Sequence, residues 1–260
     1  MTAPAPDERN AAGELARSLL RPGTLYQTST IAALLEGVYD SDVTIAQLLT
    51  HGDFGLGTFN HLDGEMVVLD GICYHLRSDG TAVLAGPDER TPFAAVTYFA
   101  PEVVLPVEQP SPFAAMRNVI DAAIGSSNAI VAIRVSGTFS EVRTRTLTEQ
   151  HRPYPRLADA TTGQQEATFG VISGHLVGYR TPAFEQGISV AGYHLHFIDE
   201  SRQRGGHVLD CQLESGRIEL AVETDLHLSL PQTAEFLAAT SHHDSMDAEI
   251  RRVEGSLSQD

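Results

Sequence analysis

The sequence contains no lysine, so each of its 17 basic residues is an arginine. A Schiff base with a carbonyl substrate requires a lysine, and so does the loop that binds nucleotide phosphates in P-loop proteins. Both mechanisms are therefore excluded for this chain. If the protein stabilises a carbanion, a metal ion must serve as the electron sink.

Cysteine is scarce, and long apolar runs are absent. Cys73 and Cys211 lie far apart in apolar segments, so we expect buried thiols, with a disulfide between them left open. No stretch approaches the roughly 20 apolar residues that cross a membrane. Residues 1–10 lack the positive region and apolar core of a signal peptide. We therefore expect a soluble, cytoplasmic protein without a membrane partner.

The balance of charge is strongly acidic. A net charge of −17 argues against a nucleic-acid partner, because such proteins cluster lysines and arginines to neutralise phosphates. A small-molecule substrate is the expected partner. At 260 residues the chain is long enough for one large domain or two small ones.

Two histidines stand two residues apart in a run of β-forming residues, Gly192-Tyr193-His194-Leu195-His196-Phe197-Ile198. Residues i and i+2 of a strand point to the same face. His194 and His196 should therefore aim their imidazoles together, with Tyr193, Leu195 and Phe197 packed on the other face. A His-x-His pattern alone is common and is often structural.

A third histidine strengthens the metal interpretation. The polar run 199–206 is typical of a hairpin loop, and His207 opens the strand that follows it. If residues 200–203 form the tip, antiparallel pairing places His196 opposite His207. Opposed residues have Cβ atoms about 4.5–5.5 Å apart. Three converging imidazoles are the ligand set of an open catalytic metal site.

The patterns along the chain predict an α/β fold of the α+β type. We expect a loosely ordered or disordered tail over residues 1–22. An N-terminal mixed β-sheet domain with short helices should span 23–160, and a C-terminal antiparallel β half-barrel domain with closing helices should span 161–260. Helices are predicted at 10–20, 30–36, 44–49, 112–124, 233–239 and 244–252. Strands are predicted, among others, at 58–61, 129–136, 137–146, 207–214 and 217–223.

Three further kinds of residue are candidates for chemistry. Glu65 begins an apolar strand directly after an Asp-Gly turn, and is either a surface residue at the strand edge or a carboxylate aimed into a pocket. Arg143 and Arg145 share one face of a strand. The pair is either a solvated face or a clamp for a carboxylate, which the planar guanidinium matches bidentately. Glu254 ends the last predicted helix and carries no signal by itself.

Several motifs together resemble one known family, acetolactate decarboxylase, over about residues 23–255. They are Gly55-Leu56-Gly57-Thr58-Phe59, Leu62-Asp63-Gly64-Glu65-Met66, Asp70-Gly71, Gly137-Thr138-Phe139, Val142-Arg143-Thr144-Arg145-Thr146, Pro153-Tyr154-Pro155, and the hairpin Gly192-Tyr193-His194-Leu195-His196-Phe197 with Gly205-Gly206-His207-Val208. Each motif alone is weak, and the combination is specific.

The resemblance implies a site and an assembly. The three histidines would hold Zn²⁺, Glu65 and Glu254 would flank the metal, and Arg145 would contact the substrate. Thr58 would line the same pocket. A homodimer would join the N-terminal sheets, and the active site would lie in the C-terminal domain.

The resemblance also implies a reaction, the decarboxylation of 2-acetolactate to (R)-acetoin and CO2. Zinc would chelate the hydroxyl and carbonyl oxygens and stabilise an enediolate intermediate. Arg145 would hold the carboxylate or donate to the developing enolate. Glu65 or Glu254 would help to deliver the proton, which requires a carboxyl with a raised pKa.

Two alternatives remain open from the sequence. A cupin-type metalloenzyme would use His194, His196 and Glu200 as ligands, with His227 as a fourth, and would not need His207. A non-enzymatic zinc-binding regulatory domain is resembled by residues 188–223. Glu65 and Arg145, which lie before that region in matching motifs, favour the enzyme.

Overall fold

The computed structural model describes residues 23–239, 248–250 and 252–253. The predicted tail, the predicted helix at 10–20 and the candidate Glu254 lie outside the described residues. In chain order the strands are β1 (Thr24–Thr28), β2 (Phe54–Thr58), β3 (Glu65–Leu69), β4 (Ile72–Leu76), β5 (Ala82–Leu84), β6 (Phe93–Thr97), β7 (Val103–Val107), β8 (Ser111–Pro112), β9 (Ile130–Thr146), β10 (Gln165–Phe169), β11 (Ile172–Thr181), β12 (Gly192–Asp199), β13 (Gly205–Glu223) and β14 (Asp225–Ser229).

The first two short helices begin at threonine caps. The α-helices with defined bounds are α1 (Ile31–Leu35), α2 (Ile45–Leu48), α3 (Phe113–Ile124), α4 (Leu157–Ala160) and α5 (Ala234–Ala238); residues 248–250 and 252–253 are also helical. The hydroxyls of Thr30 and Thr44 accept hydrogen bonds from the third residue of α1 and α2. Each bond satisfies a backbone N–H that has no partner within the helix.

The first sheet is mixed, with strand order β14-β1-β6-β2-β3-β4-β5. β1 pairs in parallel with β14, and the other neighbours are antiparallel. β3 and β4 flank a turn at Asp70-Gly71. The mixed sheet expected for the N-terminal half is confirmed, although β14 comes from near the end of the chain.

The second sheet is antiparallel and curls onto itself. β9 pairs with β11, β11 with β12, β12 with β13, and β13 returns to β9, so that the pairings close a ring. The helix α3 packs Phe113, Met116 and Ile120 into the core of this sheet. The expected curled, antiparallel β architecture is therefore present.

A continuous apolar cluster joins the two sheets. It contains Phe54, Leu56, Val67 and Leu76 from the first sheet, and Val177, Tyr179, Ile198 and Ala221 from the second. Burial of such side chains contributes roughly 1.5–3 kcal/mol for each large aliphatic residue. The close fit places the start of β3 beside β12, which is the strand of the paired histidines.

Two predicted strand breaks are wrong. Residues 129–136 and 137–146 form one strand, β9, and residues 207–214 and 217–223 belong to one strand, β13. Gly137 and Gly216, which lie at the two predicted breaks, pair with each other. A Cβ on Gly137 would lie 2.9 Å from the Gly216 Cα, so the two glycines permit a close approach of continuous strands rather than a turn.

The predicted strand at 58–61 is also wrong, because β2 covers Phe54–Thr58 and a 3-10 turn covers Asn60–Leu62. His61 has a φ of 67° in that turn, which a strand does not allow.

Sheet membership crosses the predicted domain boundary at residue 160. β7, β8 and β9 lie before the boundary and belong to the second sheet, whereas β14 lies after it and belongs to the first. The division into two domains stays a prediction.

Cys73 and Cys211 are both buried and free. No helix among the described residues is long and apolar enough to span a bilayer.

Gly178 of β11 lies where the two sheets pack against each other, and it gives a test of the packing. An added Cβ would lie 2.1 Å from the His194 carbonyl oxygen and 2.8 Å from the Leu56 side chain. We expect Gly178→Ala to lower the free energy of unfolding by about 1–3 kcal/mol, the usual cost of overpacking a core. Denaturant titration measures the change. Gly170→Ala is the matched control, because nothing lies within 4 Å of its Cβ position. Equal stabilities for the two variants would contradict this account of the interface.

Candidate metal centre

His194 and His196 lie on one face of β12, as predicted. Tyr193, Leu195 and Phe197 point to the opposite face and belong to the hydrophobic core of the second sheet. Because successive residues of a strand face opposite sides, this apolar packing fixes the direction of both imidazoles. His196 is 1% exposed.

His207 lies directly opposite His196 in the β12–β13 pair. The backbone N–H of Asp199 donates to the Arg204 carbonyl at 2.9 Å, so residues 200–203 form the tip of the hairpin. The Asp199 carboxylate accepts backbone hydrogen bonds at 2.8 and 3.0 Å from the tip. The predicted tip and the predicted pairing are both confirmed.

The three imidazoles converge. Their ring centroids are 5.0 to 5.4 Å apart, and the ring planes are inclined by 53 to 72°. Each ring offers one nitrogen, and these nitrogens lie within 4.8 Å of one another. We call His194, His196 and His207 the three-histidine cluster.

The backbone of the first sheet sets the orientation of His196. Its Nδ1 donates to the carbonyl oxygen of Met66 at 2.8 Å, so the neutral ring carries its lone pair on Nε2. That Nε2 is buried and has no hydrogen-bond partner among the described residues. A ring nitrogen held toward the centre of a cluster by a carbonyl on its other nitrogen is the usual arrangement of a metal-ligating histidine.

Burial favours the neutral form of His194 and His196. Desolvation, with a smaller contribution from the Arg145 cation, lowers the pKa of His194 to about 3. Desolvation also lowers the pKa of His196 well below its usual value, followed by the effect of His194, while the Met66 hydrogen bond opposes the shift. Neutral imidazole is the form that binds a metal ion.

Glu65 and Thr58 lie beside the cluster. Glu65 is 6% exposed, and its Oε2 is 3.6 Å from the His196 Nε2. Thr58 pairs with Glu65 across β2 and β3, and its hydroxyl donates to the Gly64 carbonyl at 2.7 Å. The Thr58 side chain therefore supports the turn that delivers Glu65.

Arg145 completes the polar side of the site. It is 4% exposed, and its Nη2 lies 3.4 Å from the Nε2 of His207. Its Nη1 donates to the Gln164 side-chain oxygen at 3.1 Å. Arg143 is half-exposed and lies 3.8 Å from Glu166. Arg143 is not one of the described residues that line the pocket around the cluster.

The rest of this pocket is apolar, and no local sequence pattern indicates it. The polar and charged residues that line the pocket are Thr58, Glu65, Arg145, His194 and His207. The other lining residues are Ile31, Leu34, Gly57, Leu62, Phe93, Leu147, Leu157 and Val253. We call this space the metal pocket; it is narrow, with a cavity volume of about 30 Å³. Its apolar residues come from distant parts of the chain, and such convergence has no local sequence signature.

The cupin-type ligand set is not assembled. The Glu200 carboxylate lies 3.0 Å from the Nε2 of His175, and its side chain is 69% exposed. His227 is on β14 of the first sheet, where its ring contacts Tyr26 and His51. Among the described residues, the group that can hold a metal ion is the three-histidine cluster.

A buried cluster of three imidazoles, next to a buried arginine and a buried glutamate, is typical of an enzyme pocket that can bind a metal ion. Comparisons with known proteins specify the class further. A family model for alpha-acetolactate decarboxylase matches residues 25–242. The chain belongs to the alpha-acetolactate decarboxylase family, whose members are carboxy-lyases.

Individual relatives agree over most of the chain. The alpha-acetolactate decarboxylase of Klebsiella aerogenes is 47% identical over 230 residues, which are 88% of each chain. That of Methylococcus capsulatus is 43% identical over 215 residues, 83% of each chain. The crystal structure of the Bacillus subtilis strain 168 enzyme matches with a TM-score of 0.88 and 40% identity, covering 90% of this chain and 100% of that one.

The ligand set predicts which substitution removes metal. After dialysis against zinc, we expect His207→Ala to lose most of its metal, because it removes one of three ligands. Glu200→Ala should retain about one zinc per chain, since that carboxylate is remote from the cluster. Elemental analysis of both variants measures the content. Metal retained by His207→Ala and lost by Glu200→Ala would contradict the three-histidine assignment.

Proposed function

We propose that this protein is a zinc-dependent acetolactate decarboxylase that converts 2-acetolactate to (R)-acetoin and CO2. The single observation that carries the proposal is the buried three-histidine cluster, with Arg145 and Glu65 in the same pocket. The family supports the reaction, and the pocket supports the roles of the residues.

The donor set fits zinc. Three converging imidazoles, one with a buried Nε2 that has no hydrogen-bond partner among the described residues, match the three protein ligands of an open zinc site. His194, His196 and His207 would hold the ion. When bound, zinc supplies Lewis-acid polarisation of substrate oxygens and stabilises the negative charge that loss of CO2 leaves behind.

Arg145 is proposed to bind and orient the substrate. Its guanidinium is buried and anchored by Gln164, so the charged group is held in a fixed orientation in the pocket. It either holds the carboxylate or donates to the oxygen on which charge develops, and both roles suit a planar, permanently charged group. In a chain with a net charge of −17, it also supplies local attraction for an anionic substrate.

Glu65 is proposed to hold the proton that reaches the product. Its Oε2 lies 3.6 Å from the His196 Nε2, so it adjoins the position of the metal-bound substrate. The Thr58 hydroxyl, through the Gly64 carbonyl, keeps this carboxyl on one side of the pocket. Delivery from one side accounts for a single enantiomer. Glu254 stays the second candidate by family resemblance, and Arg143 is omitted from the proposed substrate contacts.

The apolar residues of the metal pocket are proposed to exclude water. Leu34, Leu62, Phe93 and Leu157 are each buried and leave little room beside a small substrate. A dry site strengthens the electrostatic effect of Arg145 on the developing charge. A homodimer and a cytoplasmic location stay predictions from the resemblance and the sequence.

Acetoin formation from racemic acetolactate tests the proposal. We expect the zinc-loaded protein to form (R)-acetoin, and activity to disappear with a chelator and return with zinc. Arg145→Gln should lower kcat/KM by about 10²-fold or more, the usual effect of removing a donor that stabilises developing charge. A colorimetric acetoin assay with chiral analysis measures both.

Arg143→Gln is the matched comparison, because it removes the neighbouring guanidinium outside the metal pocket. We expect its kcat/KM to stay within about two-fold of the unmodified protein, as for a surface substitution. Full activity in Arg145→Gln would contradict the role of that residue. A zinc-loaded protein that forms no acetoin would instead support the binding-domain alternative.

A further inference from the structure

The metal pocket has one wall that comes from the end of the chain. Val253 lines the pocket together with His194 and His207, is 2% exposed, and belongs to the same apolar cluster as Leu34 and Leu157. A valine side chain presents only methyl groups, so it faces the alkyl part of any substrate whose oxygens are bound by the polar side.

Val253 also separates the metal pocket from a second space. An outer cleft of about 360 Å³ is lined by Arg145, Val253, Arg252, Asp159 and Gln164, among others. Of the described residues that line the metal pocket, Arg145 and Val253 are the two that also line this outer cleft. Among the described residues, the partition between the metal pocket and the outer cleft therefore consists of the cationic side chain of Arg145 and the branched aliphatic side chain of Val253.

Arg156 fastens the segment that carries Val253. Its Nη2 lies 2.9 Å from the Glu36 carboxylate and 3.0 Å from the Glu249 carboxylate. Both carboxylates are only 15% exposed. Glu36 caps α1, which supplies Ile31 to the pocket, and Glu249 lies four residues before Val253.

One guanidinium thus ties two walls of the metal pocket together. Leu157, the residue after Arg156, lines the pocket itself. Ile250, the residue after Glu249, is 2% exposed in the same apolar cluster. The two ion pairs of Arg156 are partly exposed, so they stabilise the fold only modestly. Their geometry holds the segment that carries Val253 in its position between the pocket and the cleft.

We propose that Val253 is a specificity-determining residue that limits the size of the substrate's alkyl substituents, and that Arg156 is the positioning residue that holds it there. The proposal rests on the function proposed above, because it assigns the alkyl groups of acetolactate to the apolar side of the pocket. Shortening Val253 opens that side into the outer cleft, where an additional methylene has room.

The test compares acetolactate with its homologue that carries an ethyl group in place of the methyl on the tertiary carbon. For Val253→Ala we expect the ratio of kcat/KM, homologue to acetolactate, to rise at least about five-fold, since one methylene in a fitted pocket is worth roughly 10-fold or more. Val253→Ile should lower the same ratio, because it fills the space. A general loss of stability would not shift the kcat/KM ratio in opposite directions in these two variants.

Arg156 is tested with Arg152 as the matched control. Arg152 makes the same kind of two-carboxylate contact, with Asp40 at 2.7 Å and Glu235 at 3.0 Å, but neither partner belongs to α1 or to the segment that carries Val253. We expect Arg156→Gln to raise KM for acetolactate several-fold and to shift the ratio in the direction of Val253→Ala. Arg156→Lys should restore most of both values, and Arg152→Gln should change neither.

The outcomes separate this proposal from the proposed function. An unmodified protein that forms no acetoin overturns the proposed function, and this inference with it. If the unmodified protein is active but both Val253 variants leave the ratio within two-fold, Val253 is not a specificity wall. If Arg156→Gln changes KM and ratio no more than Arg152→Gln does, the positioning role of Arg156 is wrong. Zinc content and thermal unfolding of each variant show that folded proteins are compared; should Val253→Ala not fold, Val253→Ile decides the question.

Discussion

The hydrogen bond from His196 Nδ1 to the Met66 carbonyl is the interaction on which the site depends. It crosses from the second sheet to the first, and so couples the packing of the two sheets to the direction of one imidazole. Leaving a buried polar atom unpaired costs about 1–3 kcal/mol, and the Nε2 of His196 is such an atom. The fold therefore maintains an unfavourable group within the three-histidine cluster, and a bound metal ion would relieve it.

The same junction explains the grouping of the other residues. Met66 and Glu65 are consecutive on β3, so the strand that orients His196 also brings a carboxylate beside it. Arg145 comes from β9, next to His207 on β13. Two sheets, each stable through its own pairings, thus contribute separate halves of one site. Their relative position is held by close packing at residues such as Gly178.

Local patterns predicted the parts of the site that obey short periods. The alternation of β12 gave the shared face of His194 and His196, and the hairpin gave the pairing with His207, because both depend only on strand geometry. The same alternation placed Arg143 beside Arg145, yet the two differ in burial. The strand period determines which face a side chain lies on, but not which part of that face is covered by other elements. The sequence alone therefore does not distinguish the buried Arg145 from the half-exposed Arg143.

Other features depend on tertiary contacts and were not predictable. The apolar walls of the metal pocket converge from α1, α4 and residue 253, and no local pattern relates them. The predicted breaks in β9 and β13 are wrong because Gly137 and Gly216 permit a mutual close approach, which is visible only when the strands pair. Glu65, whose sequence context allowed either a surface or a pocket position, is buried because β2 and β3 pack beneath the second sheet.

The coordination of zinc by the loaded protein is the most direct measure of the central claim, and X-ray absorption at the zinc edge reports it. The account predicts three imidazole nitrogens at about 2.0–2.1 Å and a light-atom ligand in the remaining position. A sulfur ligand near ~2.3 Å, or a first shell with fewer than three imidazoles, would contradict it.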